Sequence, residues 1–225
     1  MHLRGMRIKT LVLAALMPAL LHAQADFRMG PRLGLSLATQ TAGGQLFATG
    51  GLPKLGPIAG WSFDIPWTEQ FHFLVEPMWM SKGSWTRNAT LKTNSYVTLN
   101  YLELPVMMKL SVNPDPQGTF LTAGGIYGYW IGGHYKTVVD GQTQVDQKYD
   151  LTYAKKRDQW SLAVGLGREH NNWMWELRAQ TSVTPFSYTV KVQNAVLGIH
   201  LTWRLPVAGT ERKKKRTDED EDNGG

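Results

Sequence analysis

Among the side chains that could do chemistry, the six histidines come first. His2 and His22 fall in a leader-like stretch, His134 in a prospective loop and His170 in a prospective turn, which leaves His72 and His200 in segments that read as strands. A histidine beside a hydroxyl can take its proton and make the oxygen nucleophilic. His200 with Ser182 or Thr202 would be such a pair, and at a membrane rim it could act on lipid esters. These residues share one parity along alternating segments, however, so a hydrogen bond inside the fold is the simpler role. No nucleotide, metal or nucleophile motif accompanies them, so no catalytic residue, metal or cofactor is expected. Asp140-Gly141 and the glycine pairs at 43–44, 50–51, 124–125 and 132–133 read as turn or close-packing glycines before phosphate cradles.

The second chemical set is charged. Arg28, Arg32, Asp64, His72, Glu76, Glu103, Lys109, Glu176, Arg178, His200 and Arg204 stand mid-segment, on the parity that also carries Gly30, Gly34, Ser36, Gly60, Ser62, Ser161, Ala163, Gly165, Gly167 and Gly198. Charges on an enclosed face are costly unless paired, and these signs are nearly balanced. A network of internal salt bridges is therefore expected.

The elements that must position these residues are strands. Eight segments alternate apolar and polar over the roughly 9–11 residues that a tilted membrane strand needs. They run from Phe27 to Ala38, Gly56 to Trp67, Phe71 to Gly83, Tyr96 to Ser111, Gly118 to Ile131, Asp158 to Arg168, Trp173 to Val183 and Asn194 to Leu205. In the first, Phe27, Met29, Leu33, Leu35 and Leu37 oppose Arg28, Gly30, Arg32, Gly34 and Ser36. In the third, Leu74, Met78 and Met80 interrupt the polar side, and the glycine- and tyrosine-rich fifth alternates least. The connections alternate too: 39–55 long, 68–70 short, 84–95 long, 112–117 short, 132–157 longest, 169–172 short and 184–193 moderate. Short turns on one side and long loops on the other are the habit of an up-and-down membrane barrel with both termini in the periplasm. Asp140-Gly141, between two β-prone runs, predicts a hairpin within the longest loop.

Composition fits this reading. Arg4, Arg7 and Lys9, the apolar run Leu11 to Leu21 and Ala23-Gln24-Ala25 read as a secretory signal peptide over 1–25, cleaved after Ala23 or Ala25. Losing three leader bases takes Lys+Arg from 24 to 21 against 18 acids, so the formal +6 does not imply a nucleic-acid partner. With no cysteine, stability must come from something other than disulfides, and closure of a sheet would suffice. The barrel is expected over 26–206 and a charged disordered tail over 207–225, where Arg212 to Arg216 precede Asp218 to Asp222.

Alternation alone does not say which face is enclosed. A secreted lipocalin-like barrel would turn its apolar face inward around a ligand. Three features favour lipid outside instead. Small residues crowd the polar face, as an eight-stranded interior requires. Apolar-face aromatics cluster at segment ends, as membrane-interface girdles do. Phe27, Trp67, Phe71, Phe120, Trp173, Trp175 and Trp203 are expected at the periplasmic rim, and Trp79, Trp85, Tyr96, Trp130, Trp160, Phe186 and Tyr188 at the outer rim. The mid-segment charges, finally, keep to the small-residue side.

Two stretches carry a family resemblance. YLELPVMMKL, Tyr101 to Leu110, and VEPMWMSKGSW, Val75 to Trp85, resemble signature strands of the PorT-like outer-membrane barrels of Bacteroidetes. The glycine-rich fifth segment, the GLG after Asp158 and the closing LGIHLTWRL follow the same pattern. The resemblance implies an eight-stranded outer-membrane barrel without known enzymatic chemistry. The family's namesake is associated with type IX secretion, but what carries over to this chain is the barrel and not that role. One departure is that the last strand ends at Trp203-Arg204-Leu205 and runs on into the charged tail. The expected partners are outer-membrane lipid and a protein met at the extracellular loops or the periplasmic tail. A membrane anchor or secretion accessory with a plugged lumen is the expected function. A small-solute pore and a lipid-modifying enzyme stay open beside it.

Overall fold

The computed structural model describes residues 27–42, 51–113, 117–148, 157–185 and 192–205. The expected leader and tail, with Phe186 and Tyr188, lie outside the described residues. Ten strands form one antiparallel sheet: β1 Arg28–Ala42, β2 Gly51–Pro66, β3 Phe71–Val75, β4 Met78–Asn88, β5 Thr93–Ser111, β6 Gly118–Val139, β7 Gln142–Lys148, β8 Asp158–His170, β9 Trp173–Ser182 and β10 Val192–Trp203. Because β1 pairs with both β2 and β10, and β5 pairs with β6, the sheet closes into a ring. Closure removes the open edges that a lipid environment forbids, since every backbone donor there must be paired within the protein.

Ten strands make eight staves. β3 and β4 are one stave interrupted at Glu76-Pro77, because β2 meets Val75 at Phe63 and Met78 at Gly60 without a change of register. Proline lacks the amide hydrogen the ladder needs. Its carbonyl still accepts from Trp61 N at 2.9 Å, and Glu76 N donates to Pro105 O at 3.0 Å, so the break stays local. β7 adds no stave, for it pairs only with the upper part of β6.

Several strands run beyond the expected segments. β2 starts at Gly51, β4 reaches Asn88, β5 starts at Thr93 and β6 continues to Val139, so the expected loops at 39–55, 84–95 and 132–157 are partly strand. Local turn chemistry allows this extension. Asn88 Oδ1 accepts Leu91 N at 3.1 Å over the tight turn from β4 to β5. At the next hairpin, Asp140 and Gly141 have φ of 49° and 80°, the paired positive values that an Asp-Gly hairpin turn demands.

Alternation sorts the side chains as expected on most staves. Leu33, Leu35, Leu102, Leu104, Val106, Leu162, Val164 and Ile199 face outward and are exposed, while Arg32, Glu103, Lys109 and Glu176 are buried. Leu74, Met78 and Met80, which interrupt the polar side of the third segment, are buried in apolar clusters within the barrel. The glycine-rich stave departs from expectation. Phe120 and Trp130 are both fully buried, so neither belongs to an aromatic girdle. Trp130 packs with Leu99 and Tyr101, and Tyr127, Tyr129 and Ile131 take the outward side. Bulky residues and glycines occur on both faces of this stave, so its parity could not be read locally. Gly124 and Gly128 share the inward parity with Ile126 and Trp130, and Met107 packs against Gly124 while Glu103 and Tyr101 lie against Gly128. A β-bulge follows, since Tyr101 pairs with Trp130 but Asn100 pairs with Gly132.

Candidate functional site

The enclosed polar side chains form three groups stacked along the barrel. β9 serves as a ruler, for its inward residues Met174, Glu176, Arg178, Gln180 and Ser182 climb from the short-turn end to the long-loop end.

At the short-turn end, Asp64 and Glu169 face Lys109, Arg204 and Arg28. Lys109 Nζ donates to Asp64 Oδ2 at 3.0 Å and to Glu169 Oε2 at 2.6 Å. Arg204 bridges the same carboxylates at 2.8 and 3.2 Å, and its guanidinium also rests on Met174 Sδ. His72 Nδ1 lies 2.6 Å from Asp64 Oδ1. Arg28 closes the mouth on Glu169 at 2.9 Å and is partly exposed. The Lys109 ammonium stands 5.2 Å from the Phe120 ring centre, a cation–π contact that gives the inward Phe120 a role.

Midway, Arg32 and Arg178 share Glu76 and Glu176. Arg32 holds Glu76 Oε1 at 3.1 Å and pairs with Glu176. Arg178 holds Glu176 through Nε at 3.0 Å and through Nη2 at 2.8 Å, and reaches Glu76 Oε2 at 2.7 Å. Ser62 and Thr122 hydroxyls donate to Glu76 and Glu176 at 3.1 and 2.6 Å. His200 Nδ1 accepts Arg32 Nε at 3.2 Å, which places the ring proton on Nε2. Toward the long loops, Lys82 pairs with Glu103, Gln180 Nε2 donates to Glu103 at 3.2 Å, and Gln159 Oε1 accepts from Lys82 and Asn194, each at 3.3 Å.

Every expected network residue faces this interior: Arg28, Arg32, Asp64, Glu76, Glu103, Lys109, Glu176, Arg178, His200 and Arg204. Five acids, Asp64, Glu76, Glu103, Glu169 and Glu176, meet five bases, Arg32, Lys82, Lys109, Arg178 and Arg204, and none is more than 3% exposed. Ion pairs of this kind hold only when their remaining lone pairs and protons are also satisfied. The surrounding serine, threonine, glutamine and asparagine groups supply several of those bonds here, while Arg178 Nη1 and Arg204 Nη1 are buried without a hydrogen-bond partner. Sequence reasoning missed Glu169, which it assigned to the turn after β8, although Glu169 keeps the inward parity of Gly165 and Gly167. It also left Lys82, Gln159, Gln180 and Asn194 out of the network. Only their parity marked them.

The hydroxyl–histidine pair does not form. Thr202 Oγ1 accepts from Arg32 at 3.0 Å, and Ser182 Oγ accepts Asn194 N at 2.8 Å. Ser182 stands six residues along β9 from Glu176, the register partner of His200, which is roughly 20 Å of strand. Among the described residues no three histidine or acidic side chains are grouped to hold a metal ion.

On the outer surface, Trp67, Trp160, Trp173, Trp175 and Trp203 are exposed, and Trp79 is partly so. Trp173 and Trp203 stack at 6.1 Å beside the short turns, and Trp67 meets Phe73 edge-on at 5.9 Å at the same end. Tyr127 and Trp160 lie 5.1 Å apart toward the long loops.

The family model described as outer membrane protein beta-barrel domain matches residues 22–188. No curated protein matches the chain. Among solved structures, the attachment invasion locus protein Ail of Yersinia pestis, in complex with the heparin analogue sucrose octasulfate, is similar at 11% identity and a TM-score of 0.44, over 80% of this chain and 99% of that one. Neisserial surface protein A is similar at 10% identity and a TM-score of 0.47, over 80% and 97%. OprG from Pseudomonas aeruginosa is similar at 9% identity and a TM-score of 0.37, over 80% and 95%.

Proposed function

Since this chain belongs to the outer membrane β-barrel protein family, we propose that it is a sealed, non-enzymatic barrel of the PorT-like branch of Bacteroidetes. It acts as a membrane anchor or accessory for a protein partner, protein secretion being one process such an accessory would serve. The chain is exported by its leader, both termini stand in the periplasm, and the long hairpins face the outside. The partner is met at those hairpins or at the charged tail.

The observation that carries this reading is the filled, neutral lumen, in which five buried acids answer five buried bases at three levels. A solute or ion path would need open space between those groups, and their near-zero exposure argues against one at these levels. Extended hairpins standing on a rigid plugged ring suit a scaffold better than a passage. Recording from purified protein in planar bilayers tests the reading, with no steady conductance expected. A reproducible nanosiemens conductance would establish a pore instead. A heat-modifiability gel accompanies it, because a folded barrel resists detergent until boiled.

A further inference from the structure

Above the apolar band, the lipid-facing side of the barrel turns basic. On β5 the outward residues Leu110, Met108, Val106, Leu104 and Leu102 are exposed and apolar, and the alternation continues without a bulge through Asn100, Thr98, Tyr96 and Asn94. Register carries this outward face sideways. Trp85 pairs with Tyr96 and Arg87 with Asn94 on β4, while Lys136 pairs with Tyr96 and His134 with Thr98 on β6. Lys148 and Asp146 of β7 pair with His134 and Lys136. At the lower margin Arg157 Nη1 donates to the outward Tyr129 hydroxyl at 3.1 Å. Four cations, Arg87, Lys136, Lys148 and Arg157, thus share a face with two acids that are already engaged. Asp146 pairs with His134, and Asp158 accepts from Tyr127 at 2.6 Å. Between the cations Trp85 and Tyr96 stack at 5.9 Å and 8°, a flat amphipathic platform.

Height decides what meets this face. A tilted strand climbs about 2.5 Å along the barrel axis per residue. Thr98 therefore stands roughly 10 Å above Leu102, which ends the run of outward aliphatic residues on β5 and pairs with Tyr129. The headgroup zone occupies about the first 5–8 Å beyond the hydrocarbon, and sugars reach further. The cation row begins at that depth and continues above it. The opposite rim is different, for among the described residues its outward side carries Arg168 and Glu69, one of each sign.

We propose that this row, with the Trp85–Tyr96 platform, binds the phosphate groups of the outer-leaflet glycolipid, lipopolysaccharide. Charge complementarity selects the phosphates, and continuity with the apolar band fixes the occupant as lipid lying beside the barrel. The proposal rests on the outer-membrane barrel reading, and its test separates the two.

Folded wild-type protein in detergent is titrated with purified lipopolysaccharide, with the same lipid after enzymatic removal of its phosphates, and with inorganic phosphate as competitor. Phosphate removal should weaken binding at least about tenfold, since each basic group near an anionic surface contributes about fivefold. A variant carrying Arg87→Gln, Lys136→Gln, Lys148→Gln and Arg157→Gln should lose binding to a similar degree, and Arg168→Gln should bind like the wild type. Equal binding of the two lipids by the wild-type protein, within twofold, overturns the proposal without recourse to any variant. Competition by millimolar inorganic phosphate overturns the lipid assignment in favour of a free anion. Protein whose gel migration ignores boiling would sink the barrel reading itself. A heat-modifiable barrel indifferent to lipid phosphates sinks the present proposal alone.

Discussion

Replacing Glu176 by glutamine keeps the volume of the side chain and removes one charge from the middle of the lumen. Glu176 is fully buried and accepts from Arg32, from two nitrogens of Arg178 and from Thr122. Without its charge, two buried guanidiniums would share Glu76 alone, and the five-to-five balance of the lumen would become five bases to four acids. Removing one partner of a buried ion pair costs about 3–5 kcal/mol, because the survivors keep their desolvation penalty and lose their counter-charge. Urea unfolding in lipid vesicles, followed by tryptophan fluorescence, measures this. With a slope of about 1–3 kcal/mol per molar, the midpoint should fall by roughly 2 M. Adding Arg178→Met removes one of the stranded cations, so the double variant should be more stable than the sum of the single losses predicts, by at least about 1 kcal/mol. If Glu176→Gln stays within about 0.5 kcal/mol of the wild type and the two changes add, buried charge does not govern the stability of this lumen.

Space and lipid exposure offer two further checks. A Cβ on Gly165 would sit 2.3 Å from Glu176 Oε1 and 2.5 Å from Thr122 Oγ1, so Gly165→Ala should destabilise by about 1–3 kcal/mol through overpacking. Gly125→Ala meets nothing within 4 Å and should change the urea midpoint by less than the error. Leu104 lies outward in the middle of β5, so Leu104→Arg should lower stability in vesicles by about 2–4 kcal/mol. Leu91→Arg, in the exposed turn between β4 and β5, should fold like the wild type, and equal losses at both positions would place the apolar band wrongly.

Much of the fold is legible one strand at a time. A strand's two faces are set by steric alternation between neighbours two apart, so Leu33, Leu35 and Leu37 declare one face and Arg32 and Ser36 the other wherever the strand ends up. The Asp140-Gly141 hairpin is equally local, because its turn depends on two residues that tolerate positive φ. Where local signals fail, the reading failed with them. Phe120 and Trp130 lie on a stave whose two faces are similarly apolar, and only the ring around it puts them inside. The strand extensions past the rim were read as loops, since length beyond the membrane follows from neighbour pairing rather than from composition.

The sequence by itself determined the strand class, the parity of most staves and the confinement of the mid-strand charges to the enclosed face. It also held the five-to-five balance that the lumen requires, without saying which charge meets which. Tertiary structure alone decided the partners. Arg32 and Glu176 are 144 residues apart and meet because ring closure and the stagger of the staves bring them to one height. Parity belongs to a single strand, but height and azimuth belong to the closed sheet. That is why Glu169 could be left in a turn on paper and stand fully buried between Lys109 and Arg204 in the folded protein.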